Sequence, residues 1–297
     1  MTRALPQVLS RRTMLLAAGA GLIAPCARAQ PVKVWLPRSI GATDPQLLYV
    51  RRLVSLALEL TGMEMALTLV DMEMAQGRSL MELARGDGPL DLIWTMTTRQ
   101  REASGLLTVR IPIDRGLMGW RVLLVRRSDL PRWRPLQSLD DLRPLLAGQG
   151  HDWPDTEILR ANGLKVLTSS THDALFRMLD SGRFDYMPRA IMEVDAELAD
   201  NRHPQLAVVP DLMLYYPTAS YLFVSPRRPD LARLLQAGLE KAVAEGSLQR
   251  LHHEHFGAAL RAHPVMRERI VHLRNPLLPS DTPLQRRELW LQPGGAG

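Results

Sequence analysis

The 297-residue chain has one cysteine, Cys26, and it lies in an N-terminal stretch that reads as a removable leader. The rest of the chain carries no thiol, which excludes disulfides, thiol catalysis and cysteine-ligated metals. Stability must then come from an apolar core, and 46% apolar residues over this length can supply one large or two medium α/β cores. The sequence also lacks G-x-G-x-x-G and a P-loop lysine, so a nucleotide site is not expected. G-x-S-x-G is absent, which leaves no nucleophile elbow on which to build a Ser/His/Asp order. His252-His253-Glu254-His255 is not H-E-x-x-H; two histidines three apart make at most half a zinc site, and a solvated helix end is the plainer reading. No basic run is interleaved with aromatics, which argues against a nucleic-acid partner. There is no internal repeat and no low-complexity segment.

Acidic residues are missing from residues 1–29, which hold Arg3, Arg11, Arg12 and Arg28. The twin arginines precede an apolar run over residues 14–23, too short to span a membrane, and Ala27-Arg28-Ala29 forms an A-x-A cleavage site. The order predicts an exported chain with cleavage after Ala29 and a periplasmic address. The arginine pair suggests Tat export in the folded state, and an ordinary Sec signal with two arginines is the alternative. Pro25, where a lipoprotein needs a small residue, argues against a lipid anchor. Loss of four arginines leaves 33 basic against 31 acidic residues, a net of +2 in place of +6. The basic balance of the whole chain is therefore no argument for an acidic partner.

Residues 32–36 read as a buried strand, residues 45–60 as a helix stopped by Gly62, and residues 65–70 as a second strand. Ser79 is placed to cap a helix over residues 80–85, and residues 91–94 form a third strand. Strand, helix, strand, helix, strand opens a parallel sheet with helical crossovers. The same alternation returns at residues 163–189: a strand at 163–167, an amphipathic helix with Ala174, Leu175, Met178 and Leu179 on one stripe, a Gly182 stop, and a strand of Phe184, Tyr186 and Met187 closed by Pro188.

Several segments, in this order, resemble the periplasmic solute-binding proteins of the family 3 type. They are Asp91-Leu92-Ile93-Trp94 leading into Thr95-Met96-Thr97-Thr98-Arg99-Gln100-Arg101, the crossing segment with Pro112, Ser138-Leu139-Asp140-Asp141-Leu142 before Gly148-Gln149-Gly150, Gly182-Arg183-Phe184-Asp185, and the closing helix pair over residues 229–256 ending at Gly257. The resemblance runs from about Val32 to Gly257 and implies a two-lobe type II fold, each lobe a mixed, mostly parallel sheet flanked by helices. It divides the chain into residues 30–115 as the first part of lobe I, 116–212 as lobe II and 213–257 as the return to lobe I. Residues 258–297 would be a tail packed on lobe I.

The resemblance further implies a non-catalytic binder that closes on a small solute and presents the closed form to an inner-membrane ABC permease, as a soluble monomer without cofactor. A sensory or orphan binder and a dehydratase-like enzyme on the same fold are the alternatives, with Asp152, Asp155 and Glu193 available as acid/base groups. The family grips a carboxylate with the arginine after the threonine turn, since a guanidinium forms two parallel charge-assisted hydrogen bonds. Arg101 matches that position and Arg99 is second, with Thr97 and Thr98 completing the shell. Amino-acid binders of this type place an ammonium-binding aspartate five residues after Asp185; here that residue is Ala190, beside Arg189. An anionic solute held by Arg101 and Arg189 from opposite lobes is one reading, and an ion pair of Arg189 with Glu193 the other. Trp153 reads equally as a stacking platform or as packing, and Arg38 stands at the end of the first strand as a further contact.

Overall fold

The structure is a computed structural model and describes residues 1–2, 30–38, 45–71, 74–199, 202–265 and 269–291. The leader read over residues 1–29, with Cys26 and the cleavage site, therefore lies outside the described residues but for the first two.

The chain begins with β1 (Val32–Arg38), α1 (Pro45–Leu60), β2 (Met65–Asp71), α2 (Gln76–Arg85), β3 (Leu92–Met96), α3 (Arg99–Glu102) and β4 (Leu107–Val109). After a crossing segment come β5 (Trp120–Arg126), α4 (Leu130–Trp133), α5 (Leu139–Leu142), β6 (Leu146–Gly150), α6 (Pro154–Ala161), β7 (Lys165–Ser169), α7 (His172–Asp180), β8 (Met187–Ala190), α8 (Val194–Ala199) and β9 (Leu206–Tyr215). A second crossing leads to β10 (Ser220–Val224), α9 (Pro229–Ala244), α10 (Ser247–Ala262) and β11 (Arg269–His272).

Two sheets of the same design result. In the first, β2 and β1 pair in parallel, β1 lies beside β3 where Asp91 N donates to Trp35 O at 3.0 Å, and β10 is antiparallel to both β3 and β4. In the second, β7 and β6 pair in parallel, β6 meets the start of β8 through Ala147 and Tyr186, and β5 is antiparallel to β8 and β9. The orders β2-β1-β3-β10-β4 and β7-β6-β8-β5-β9 match position for position. In each, the antiparallel strand is the one that has just arrived from the other lobe. The largest apolar core runs from Val34 and Leu53 through Ile111, Ile113 and Leu117 of the first crossing to Phe176 and Met187, so the lobes share one continuous interior.

Helix α1 forms because Leu47, Val50, Leu53, Val54, Ala57 and Leu58 recur at helical spacing and are all buried. Three expectations shift. Helix α2 begins at Gln76, with Ala75 at its cap position, rather than behind Ser79, which lies inside it and donates to Ala75 O. Pro188 is within β8 instead of closing the strand before it. The return to the first sheet begins at Ser220, not residue 213, because β9 stays paired with β5 as far as Tyr215.

The tail departs furthest from expectation. It does not pack on lobe I alone: β11 joins the second sheet beside β9, in parallel. Asn162, which caps the C-terminus of α6, then holds both backbone groups of Arg274, at 2.8 and 3.0 Å, and Asn275 Nδ2 donates to Pro217 O in the second crossing. Only beyond this does the chain regain lobe I, where Leu277 O accepts from Arg99 N and Arg286 pairs with Glu240 of α9. It ends against the first crossing, with Arg115 Nη2 donating to Trp290 O and Leu291 N to Arg115 O. A side chain at Gly116 would meet Trp290 Cε3 at 2.7 Å, so the indole lies directly on that turn. The pull towards the second lobe has a plain cause: an exposed β9 edge carries unpaired amides and carbonyls, and β11 supplies their partners.

Candidate functional site

In both sheets the parallel strands point their carboxyl ends at the space between the lobes, where ligands bind in open α/β sheets. Lobe I brings the ends of β1, β2 and β3 and lobe II those of β6, β7 and β8. The lobes touch here. Gln46 Nε2 donates to Glu193 Oε1 at 2.6 Å, Gly77 N to Asp152 Oδ2 at 2.9 Å, and His263 Nε2 lies 2.9 Å from Asp195 Oδ1. A small, mostly apolar recess remains at the inner end, lined by Tyr49, Trp94, Met118 and Met192 with Gln46, Asp114 and Ser220.

Arg101 is set in this space by a short local device. Thr98 caps α3 through its Oγ1, which accepts from Arg101 N at 3.1 Å, and the turn folds the arginine back over the end of β3. Nη1 donates to Thr95 Oγ1 at 2.8 Å and Met96 O at 2.7 Å, and Nη2 to Gln76 Oε1 at 2.6 Å and, across the cleft, to Asp152 O at 3.4 Å. All these acceptors are neutral. Burial pulls the guanidinium down to about 10, against the opposing influence of Asp152 and Asp155. It remains a cation at neutral pH.

The other predicted contacts are dispersed. Thr97 is buried and donates to Glu102 Oε1 at 2.6 Å, away from the cleft. Arg99 turns outward to the tail, its Nη1 3.4 Å from Leu278 O. Arg38 pairs with Asp71 at 2.5 Å at the ends of β1 and β2, on the lobe I rim and half exposed. Arg189 does not stand free to meet a solute. It is buried, with Nε donating to both oxygens of Glu197 and Nη2 reaching Glu197 and Glu193. Burial lowers the affinity of such a group for its proton, yet Glu197 and Glu193 more than reverse this and hold Arg189 above the ordinary arginine range. Glu197 is displaced downwards: burial raises it, and Arg189 and His172 outweigh that. Two arginines gripping one diacid are thus not what the cleft offers, because two glutamates already neutralise the second.

Trp153 lies under Arg189, with the guanidinium carbon 5.0 Å from the ring centroid. It also explains the glycines before it. A side chain at Gly150 would meet Trp153 Cδ2 at 2.4 Å, and Gly148 faces Phe184 in the same way. These glycines make room for aromatic rings. Asp185 fixes the turn before β8, accepting from Leu146 N at 2.7 Å and from Arg132 at 2.6 Å. His252 is buried against Phe256 and Tyr49, its Nε2 3.1 Å from Asp114 O, and burial lowers it to about 3.

Sequence reasoning missed a buried cluster at the back of the cleft. Arg121 of β5 donates from Nε to Tyr216 Oη at 2.8 Å and pairs through Nη2 with Asp155 at 2.8 Å, while Tyr216 Oη donates to Asp155. Glu193, 3.9 Å from Arg121, joins this cluster to Arg189. The signal was an arginine inside Trp120-Arg121-Val122-Leu123-Leu124-Val125, since a charge within a buried strand requires a buried partner. Asp155 and Glu193, considered as acid/base groups, are both held in these pairs.

Neither a protein-family model nor a curated protein matches the sequence. Solved structures do match in fold. An ancestral arginine-binding protein bound to arginine superposes with a TM-score of 0.55 at 15% identity, over 76% of this chain and 98% of its own. A histidine kinase sensor domain with similarity to periplasmic binding proteins gives 0.53 at 18% identity, over 77% and 97%. The substrate-binding protein of an amino acid ABC transporter gives 0.51 at 12%, over 76% and 100%. The likeness accounts for nearly all of each neighbour and leaves about a quarter of this chain without a counterpart. Among the described residues no helix is long and apolar enough to cross a membrane.

Proposed function

We propose that this chain, which has the two-lobe periplasmic-binding-protein-like fold, takes a small carboxylate-bearing solute between its lobes, with Arg101 as the anchor. One observation carries the reading: a partly buried guanidinium between the lobes, just past the end of β3, is bonded to no carboxylate among the described residues. A desolvated cation gains most from an anion, and the planar fork accepts a carboxylate in bidentate fashion. Ala190 provides no partner for an ammonium, and the recess beyond is lined mainly by Tyr49, Trp94, Met118 and Met192, its one carboxylate, Asp114, being held by the amides of Gly116 and Met118. Closure follows if the solute binds the closed state better than the open one. With residues 1–29 read as an export signal, the address is periplasmic and the partner an inner-membrane ABC permease.

A sensory or orphan binder without a transporter is the second reading, favoured by a tail that holds both lobes at the hinge. A permease encoded beside this chain argues against it.

A thermal-shift screen of residues 30–297 against monocarboxylates, dicarboxylates and amino acids, repeated on Arg101→Ala, tests the anchor. A solute at a hundred times its dissociation constant adds about 2.7 kcal/mol of stability. The reading expects a carboxylate hit lost in the variant. Hits indifferent to Arg101, or none in the whole panel, would overturn it.

A further inference from the structure

Helix α2 starts without a cap of its own. Ala75 has no side-chain acceptor to offer, and the first turn holds no acidic residue, so among the described residues the free amides and the positive end of the helix dipole find no compensating side chain in the helix itself. The missing group comes from the opposite lobe. Asp152 Oδ2 accepts from Gly77 N at 2.9 Å, and the carbonyl oxygen of the same residue lies 3.4 Å from Arg101 Nη2. Gln76, the first residue of the helix, accepts from that same Nη2 at 2.6 Å, so helix start and guanidinium form one corner. Asp152 puts into it the chemical group that the anchor would recognise in a solute.

We infer that Asp152 is a specificity-determining residue of the cleft: its carboxylate occupies the anion corner when the lobes are closed, and a solute's carboxylate reaches Arg101 only by displacing it. The inference rests on the reading of Arg101 as anchor. Asp152 is suited to the part, since it precedes α6 in a loop and its side chain is 21% exposed. Its charge is also independent of the two arginines behind it, which are paired with Asp155, Glu193 and Glu197. Apparent affinity is reduced by the fraction of molecules in which the corner is open. Weakly held anions are therefore rejected, and only solutes with additional contacts to the apolar recess compete. The same contact lets the lobes close without solute.

Acetate, the side chain of aspartate as a free ion, is the direct probe. Melting temperatures of wild type, Asp152→Ala and Asp152→Ala/Arg101→Ala are followed in sodium acetate against sodium chloride at matched ionic strength. The expected result is a saturable rise in Asp152→Ala, with an acetate affinity at least tenfold above that of wild type, abolished in the double variant. Asp152→Ser keeps an acceptor for Gly77 and replaces the alanine variant if that one does not fold. An equal response in wild type and Asp152→Ala, or a response that survives loss of Arg101, overturns the inference. The two proposals fail separately: a solute that needs Arg101 but binds no better without Asp152 leaves the anchor standing and removes the competitor.

Discussion

Arg121 has a side chain only 3% exposed, and its charge is tolerable because Asp155 of α6 and the Tyr216 hydroxyl, just past β9, both meet it at 2.8 Å. Removing one partner of such a pair leaves the other buried and uncompensated, which costs about 3–5 kcal/mol. Asp155→Ala should lose stability on this scale in urea unfolding with an unchanged m-value. Asp155→Asn, which keeps the shape, should lose less. His252 gives a prediction in pH. Burial holds it at about 3 in the folded chain, below its ordinary 6.5. The unfolded chain therefore binds a proton that the folded chain refuses, so this contribution is fully present above pH 6.5 and is lost as the pH falls towards 3. At pH 5 the loss is about 2 kcal/mol. His252→Gln keeps a donor for Asp114 O without a titrating ring, and its melting temperature should fall less between pH 7.5 and 5 than that of wild type.

Among the elements, β11 and the residues just after it carry the testable weight. Asn162 bonds both backbone groups of Arg274 with one amide side chain. Asn162→Ala strips partners from a partly buried donor and acceptor and should cost about 1–3 kcal/mol, with faster proteolytic cleavage after His272 as the local readout. How much of this was legible follows from where each element draws its stability. Helix α1 and strands β1 and β3 were readable because their apolar spacing alone buries Val34, Leu36, Leu53 and Leu92. The true start of α2 was not, because its cap is Asp152, 75 residues away on the other lobe. Strand β11 was equally hidden: Arg269-Ile270-Val271-His272 is an unremarkable tetrapeptide until β9 lies beside it. At the candidate site, the placement of Arg101 beside β3 was legible through its threonine turn, which is a local signal. The engagement of Arg189 depends on Glu197 as well as Glu193, and only the latter stood at a spacing that suggested a pair.

Taken as a whole, the molecule is two matched lobes with a tail laid across both crossings. The tail binds lobe II through β11 and Asn162, touches the hinge at Pro217 and Arg115, and binds lobe I through Arg99 and Glu240. Relative rotation of the lobes has to strain one of these grips. A chain ended after His272 keeps β11 and loses the lobe I grip. Spin labels at Arg51 and Asp140, both exposed and on opposite lobes, should then report a broader distance distribution than in the full chain. An unchanged distribution would mean that the strap imposes no restraint.

The parallel pairing of β11 with β9 also fixes the order in which the molecule can be finished. When the ribosome has released everything up to Ala262, the described strands and both closing helices of lobe I exist, yet the sheet of lobe II still has a raw edge. The sheet of the lobe that is encoded in the middle of the message is the last sheet to be completed. A nascent chain stalled before residue 269 would present that edge to any neighbouring strand, and a factor that holds the chain until synthesis passes this point would guard against mispairing.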